Sequence, residues 1–140
     1  MQQTATAPCI CFRLRRASRA ITRLYDDALE PTGLTVTQFS MLRHSKRLES
    51  PTVSKLAEET GHERSALWRT LQPLVRQGLI ELSAGSDQRT RRVCVTEAGE
   101  EAMARAEPYW SASQAKVAAK LGEHRQRELV ALLKEVESLV

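Results

Sequence analysis

The chain has 140 residues, 41% of them hydrophobic and 27% charged, which fits one globular domain with its own core and excludes a disordered tail. The 21 Lys and Arg against 17 Asp and Glu leave a formal charge of +4, an excess that carries meaning only where the positive residues cluster. No run of 18 apolar residues occurs, residues Met1 to Pro8 lack the segments of a signal peptide, and three cysteines make no disulfide framework, so a cytoplasmic protein without a membrane span is expected.

In chain order, residues 1–8 show no periodicity and read as a flexible N-terminal arm. From Cys9 to about Leu29, Ile10, Leu14, Ala17, Ile21, Leu24, Tyr25, Ala28 and Leu29 recur at helical spacing. Arg13, Arg15, Arg16, Arg19 and Arg23 fall largely between them and read as a solvated face. Pro31 and Gly33 stop this helix. Thr35 and Gln38 have the spacing of a capping box and open a second helix running to about Arg47. Thr52 is a suitable N-cap for a short helix carrying Val53, Leu56 and Ala57, and Gly61 supplies the left-handed residue that ends it. A longer helix is expected from about Glu63 to Gln77, with Leu67, Leu71, Leu74 and Val75 inward. Pro73 deletes one backbone bond, so its straight part should be Glu63 to Gln72.

Ile80 and Leu82, then Val93 and Val95, alternate with period two around a turn-rich, basic stretch, which predicts a β-hairpin with a long tip. Thr96 caps a further helix, expected to bend at Pro108. A last helix from about Glu123 carries Leu129, Leu132, Leu133, Val136, Leu139 and Val140 on one side, and such a stripe seeks a partner surface. The fold expected is mainly α with a small β-hairpin wing.

Ala57, Gly61 and Leu67 supply, in order, the small contact residue, the turn and the inward anchor that a helix-turn-helix needs. With Leu67, Leu71 and Leu74 inward, a 100° projection leaves Arg64, Ser65, Trp68, Arg69 and Gln72 on the opposite face. These are side chains suited to a major groove, with Trp68 open to a second reading as a structural residue buried by a neighbouring helix, and Ser65 sits in the first turn, where backbone N–H groups and the helix dipole favour a phosphate. The hairpin tip reads Ser86, Asp87, Gln88, Arg89, Thr90, Arg91, Arg92. Asp87 stands two residues before Arg89 and five before Arg92, where a carboxylate can orient a guanidinium for a narrow minor groove.

At these residues the chain resembles the MarR family of winged helix-turn-helix regulators. The resemblance rests on Thr52 to Gly78, on Asp87-x-Arg89-x-x-Arg92, and on Val95-Thr96-x-x-Gly99. It implies a homodimer on double-stranded DNA, in which residues 9–33 and 97–140 form a helical dimerisation region and residues 34–96 the DNA-binding region. Ser65 and Arg69 would then be major-groove contacts and Arg89 a minor-groove finger supported by Asp87, with Arg64, Trp68, Gln72, Arg91 and Arg92 completing the set. Two-fold symmetry implies a pseudo-palindromic operator with half-sites about one helical turn apart. A repressor in a stress response is the role implied.

Two signals for release are open. Cys11, Phe12, Ser18, Arg19, Tyr25 and Gly33-Leu34-Thr35 look like the organic-hydroperoxide-sensing branch of that family, in which an N-terminal cysteine is oxidised. Val36 and Phe39 stand where that branch has tyrosines. On this reading Cys11 is the redox-sensing residue, and Cys9 could resolve it only in trans or after unwinding, since helical neighbours two apart point away from each other. The other signal is a small aromatic or carboxylate ligand between the helical layer and the winged lobe, lined by Phe12, Arg16, Tyr25 and Phe39. No cofactor and no metal site are expected, because His44, His62 and His124 are scattered. Rival readings are a thiol-based peroxide-reactive enzyme using Cys11 and an architectural DNA binder without sequence preference.

Overall fold

A computed structural model describes residues 7–140, so most of the predicted N-terminal arm lies outside the described residues. Six helices and one hairpin follow in order: α1 (Ile10–Leu29), α2 (Val36–Arg47), α3 (Val53–Thr60), α4 (Arg64–Arg76), β1 (Ile80–Leu82), β2 (Val93–Val95), α5 (Glu97–Leu121) and α6 (Glu123–Glu137). The mainly helical class with a small hairpin, expected from periodicity, is the one observed.

The caps read from the sequence form. Thr35 Oγ1 accepts from the Gln38 N–H at 3.2 Å, and Gln38 Oε1 accepts from the Thr35 N–H at 3.1 Å. Asp26 in α1 adds a bond that sequence spacing does not reveal, accepting from the Val36 N–H at 2.7 Å and fixing the end of α1 to the start of α2. Thr52 caps α3 through the Lys55 N–H, and Gly61 closes it with φ +71°, a left-handed conformation costly for any residue with a Cβ.

Neither internal proline ends its helix. α4 continues through Pro73 to Arg76, and α5 runs 25 residues through Pro108. In α5 both Pro108 and Ala104, whose carbonyl loses its partner, lie on an exposed face where water can take the bond.

One core joins the short helices to the hairpin. Leu29, Leu42, Leu56, Leu67, Leu71, Leu74 and Val93 are wholly buried, with Phe39 and Ile80 nearly so. β1 and β2 pair antiparallel, Ile80 with Val95 and Leu82 with Val93. A third segment joins this ribbon: the Val53 N–H bonds the Arg91 carbonyl at 2.9 Å and the Val93 N–H bonds the Pro51 carbonyl at 2.8 Å. The start of α3 and the returning wing strand are therefore one piece of hydrogen-bonded backbone.

The outer helices contrast with this lobe. α6 buries no residue, and Leu129, Val130, Leu132 and Val136 face outward from it, as do Ile10, Phe12 and Ile21 from α1.

The Val95-Thr96-x-x-Gly99 sequence has a packing reason. Thr96 Oγ1 accepts from the Gly99 N–H at 3.1 Å and donates to the Gly78 carbonyl at 2.6 Å, which draws the start of α5 onto the end of α4. A Cβ at Gly99 would fall on the Leu79 carbonyl oxygen, which is backbone and cannot swing away. Gly99→Ala is expected to lower stability by about 1–3 kcal/mol, read as a lower urea midpoint at fixed protein concentration. An unchanged midpoint would show that the two backbones are not in contact.

Candidate nucleic-acid interface

α4 presents two chemically distinct faces. Leu67, Leu71 and Leu74 are fully buried, while Arg64, Ser65 and Arg69 are exposed, as the projection required. Among the described residues neither Arg64 nor Arg69 pairs with a carboxylate. The helix N-cap, Glu63, makes no side-chain bond to the first turn, so the amides beside Ser65 have no capping side chain. Two members of the predicted face sit deeper. Trp68 is half-buried against the core, and the half-buried Gln72 has its amide nitrogen fully enclosed without a hydrogen-bond partner among the described residues. The uniform 100° projection puts Trp68 outward, but its ring packs on the core with the Arg91 guanidinium of the wing 5.9 Å from its centroid.

The wing tip is built around one carboxylate. Asp87 Oδ1 accepts from the Thr90 N–H at 3.1 Å and caps a single 3-10 turn, Gln88–Thr90. Its other oxygen, Oδ2, accepts from Arg89 Nη2 at 3.0 Å and Nε at 3.4 Å. One side chain thus shapes the loop and orients the guanidinium at its apex. The hydrogen bond from Arg89 holds the Asp87 carboxyl below the ordinary aspartate range; partial burial opposes this, and the Thr90 N–H adds to the lowering.

The other two wing arginines are engaged elsewhere. Arg92, which sequence spacing left as an alternative partner for Asp87, donates from Nη1 to the Ser50 carbonyl at 3.0 Å. Arg91 is half-buried, with Nε 2.8 Å from the Ser83 carbonyl and Nη2 3.3 Å from that of Leu82. Arg89 alone of the three therefore projects from the tip.

The two surfaces share a groove of about 350 Å³, lined by Val53, Glu63, Arg64, Ser65 and Trp68 on one side and Gln88 and Arg89 on the other. Glu63 and Gln88 were not among the sequence candidates. Gln88 was visible as the residue between Asp87 and Arg89, and Glu63 as the residue that opens the helix.

A second cavity of about 400 Å³ lies where α1, α2 and α5 meet. Tyr25 and Phe39 line it as expected, but Phe12 and Arg16 do not. They lie about 20 Å and 14 Å from Tyr25 along a helix rising 1.5 Å per residue, and both are exposed. Val36, Ser40, Arg43, His44, Arg47, Trp110 and Gln114 complete the wall instead. The Tyr25 hydroxyl donates to Gln114 Oε1, and the Arg43 guanidinium stacks 4.1 Å from the Trp110 ring centroid. Burial, then Arg47 and Arg43, push the His44 imidazole below its usual range, with Glu59 opposing, so His44 is neutral near pH 7.

Cys11 is exposed on α1. Cys9 lies one residue before the helix as its N-cap, its thiol accepting from the Phe12 N–H at 3.5 Å. Among the described residues, no helix is long and apolar enough to cross a membrane.

This arrangement is that of a winged helix-turn-helix, and the comparisons with known proteins agree. The sequence pattern of the MarR family matches residues 32–90. The MosR transcriptional regulator of Mycobacterium tuberculosis, solved in complex with DNA, is 38% identical, with 94% of this chain and 98% of that one aligned and a TM-score of 0.82. MosR solved alone is 37% identical over 97% of this chain and 100% of that one, also with a TM-score of 0.82. BpsR of Bordetella bronchiseptica, whose DNA binding is regulated by 6-hydroxynicotinic acid, shares the fold at 17% identity, with 94% and 95% aligned and a TM-score of 0.81. The chain belongs to the MarR family of transcriptional regulators. Such relatives are transcriptional regulators, which favours the regulator reading over the thiol-enzyme one.

The pairing of Asp87 with Arg89 has a direct measure. A group whose pKa is depressed by folding keeps its partner above the unfolded value and loses it only as pH falls through the folded one. Arg89→Ala should therefore move the Asp87 carboxyl midpoint upward, toward the ordinary range, in an NMR titration. A midpoint that does not move would mean that the pair is not formed in solution.

Proposed function

We propose that this protein is a sequence-specific DNA-binding repressor that grips a pseudo-palindromic operator as a homodimer and lets go when a small ligand or an oxidant acts on its helical layer. The observation that carries this reading is the shared groove, in which the exposed face of α4 and the tip arginine Arg89 stand beside each other.

In this scheme the start of α4 enters the major groove. Arg64 and Arg69 read guanine edges or bond phosphates, and Ser65 joins the amides of the first turn at a phosphate. Arg89, restrained by Asp87, enters the adjacent minor groove with fewer rotamers to lose than a free arginine. Residues 34–96 form the DNA-binding part. Residues 9–33 and 97–140 form the dimer layer, since α1 and α6 carry apolar side chains that one copy leaves in water. The MosR complex with DNA supports the same use of the fold.

Arg89→Ala is expected to weaken binding to a duplex selected by the wild-type protein from genomic fragments by about tenfold or more, since one good arginine contact discriminates by about 1–3 kcal/mol. Equal affinity of the variant in a mobility-shift titration would end the wing assignment. Equal affinity of the wild type for random duplex across a salt series would favour the architectural reading.

For release, the α1–α2–α5 cavity suits an aromatic carboxylate: Trp110 and Phe39 offer ring surface, and Arg43 and Arg47 offer charge. The BpsR ligand is a compound of that class. Oxidation is supported by the exposure of both N-terminal thiols. A peroxide would convert the Cys11 thiol to a sulfenic acid, releasing an alcohol or water, and the Cys9 thiol would then displace water to form a disulfide. Because Cys9 is the N-cap, only the first turn of α1 need open for this to occur within one chain. The two signals separate in one experiment. An aromatic carboxylate such as 6-hydroxynicotinic acid should release DNA and raise the His44 titration midpoint, because an anion nearby favours the imidazolium. Release by hydroperoxide that is abolished in Cys11→Ser, with no response to carboxylates, would assign the switch to the thiol.

A further inference from the structure

Arg91 stands in the sequence between two arginines of the wing motif, yet its environment differs from theirs. The guanidinium folds back under the loop, where it bonds the carbonyls of Ser83 and Leu82 on the outgoing side of the wing. It also lies 5.9 Å from the ring centroid of Trp68, which rises from α4 and packs on the core. The main chain of Arg91 is held as well, its carbonyl accepting from the Val53 N–H at the start of α3. The stem fills the space beneath the tip, since a Cβ on Gly85 would come within 3.1 Å of Arg91 Cγ. One residue therefore joins both arms of the wing and the first helix of the helix-turn-helix, and its guanidinium lies within cation–π range of the only aromatic side chain of α4.

We propose that Arg91 is a positioning residue: it braces the wing against Trp68 so that Arg89 and the Arg64–Ser65–Arg69 face keep a fixed separation, and it makes no DNA contact itself. This rests on the reading above, in which those two surfaces enter neighbouring grooves. The planar fork is the property that matters. A guanidinium presents N–H groups from Nε and Nη2 to two carbonyls in a fixed fork while its charge stays 5.9 Å from the indole centroid, and a lysine ammonium has no such fork. A brace of this kind removes wing orientations from the unbound protein, so the entropy of ordering the tip is not lost at the moment of binding.

The test has one arm without DNA and one with it. In the free protein, Arg91→Ala and Arg91→Lys should both speed hydrogen exchange at least tenfold at the Ser83 and Arg92 amides, which bond across the wing, and leave the Leu71 and Leu74 amides of α4 unchanged. With a duplex selected by the wild-type protein, Arg91→Ala should weaken binding at least fivefold without changing the slope of log affinity against log salt. Loss of a phosphate contact would instead lower that slope by about 1. Arg89→Ala should also cost less affinity in an Arg91→Ala background than alone, because a wing that has lost its brace places Arg89 poorly. Wild-type exchange rates in both variants, or a reduced salt slope with additive effects, would overturn the proposal. If Arg89→Ala alone leaves affinity unchanged, the DNA reading of the wing has failed, and the exchange rates still decide whether Arg91 is a brace.

Discussion

Two backbone hydrogen bonds place the tip of the wing beside α4: Val53 N–H to the Arg91 carbonyl, and Val93 N–H to the Pro51 carbonyl. They splice the returning wing strand onto the entrance of α3, so the hairpin is an edge of the same structure that holds α4. Both bonds lie next to the wholly buried Val93 and the nearly buried Val53, where an unmade bond would cost more than one at the surface. Arg92 closes the same seam from outside by bonding the Ser50 carbonyl, at a turn where Glu49 and Ser50 both take positive φ. A turn of that kind costs energy in non-glycine residues and persists only when its surroundings hold it. The position of Arg89 relative to α4 is therefore a property of the folded backbone and not of a free loop.

Charge is distributed in keeping with that geometry. The net charge is small, and the acidic residues near the helix-turn-helix are largely engaged away from the groove: Glu58 and Glu59 with Lys55, Glu59 also with Arg47, and Glu100 with Lys46. Exposed pairs of this kind add little stability. Their consequence is local, because they neutralise the flank and leave Arg64 and Arg89 as the cationic groups lining the groove, with Arg69 exposed on the same helix. Two acids stay on this side: Glu63, which lines the groove at the start of α4, and Asp87, whose two oxygens organise the wing loop and its arginine together.

Local signals were readable from the residues alone. Thr35, Thr52 and Thr96 each cap the helix that follows, and the alternation of Ile80, Leu82, Val93 and Val95 marks the two strands that pair. What depended on distant segments was not readable. Periodicity puts Trp68 outward, but Arg91 of the wing comes to lie near its ring. Phe12 and Arg16 belong to the same helix as Tyr25 and share its composition, yet a cavity is local along a helix axis and they lie too far from it. Its real wall pairs Arg43 and His44 of α2 with Trp110 and Gln114 of α5, residues more than sixty positions apart that only the tertiary fold brings together. Of the three arginines in a four-residue run, spacing tied Arg89 and Arg92 to Asp87, but their hydrogen-bond partners give all three different tasks.

Amide exchange of the full chain with and without a duplex selected from genomic fragments tests the shared reading face most directly. Simultaneous protection of residues 64–69 and 87–90, with α2 unaffected, is the expected footprint. Slowing confined to only one of those stretches, or appearing instead along the arginine-rich side of α1, would contradict a surface in which helix and hairpin read one double helix together.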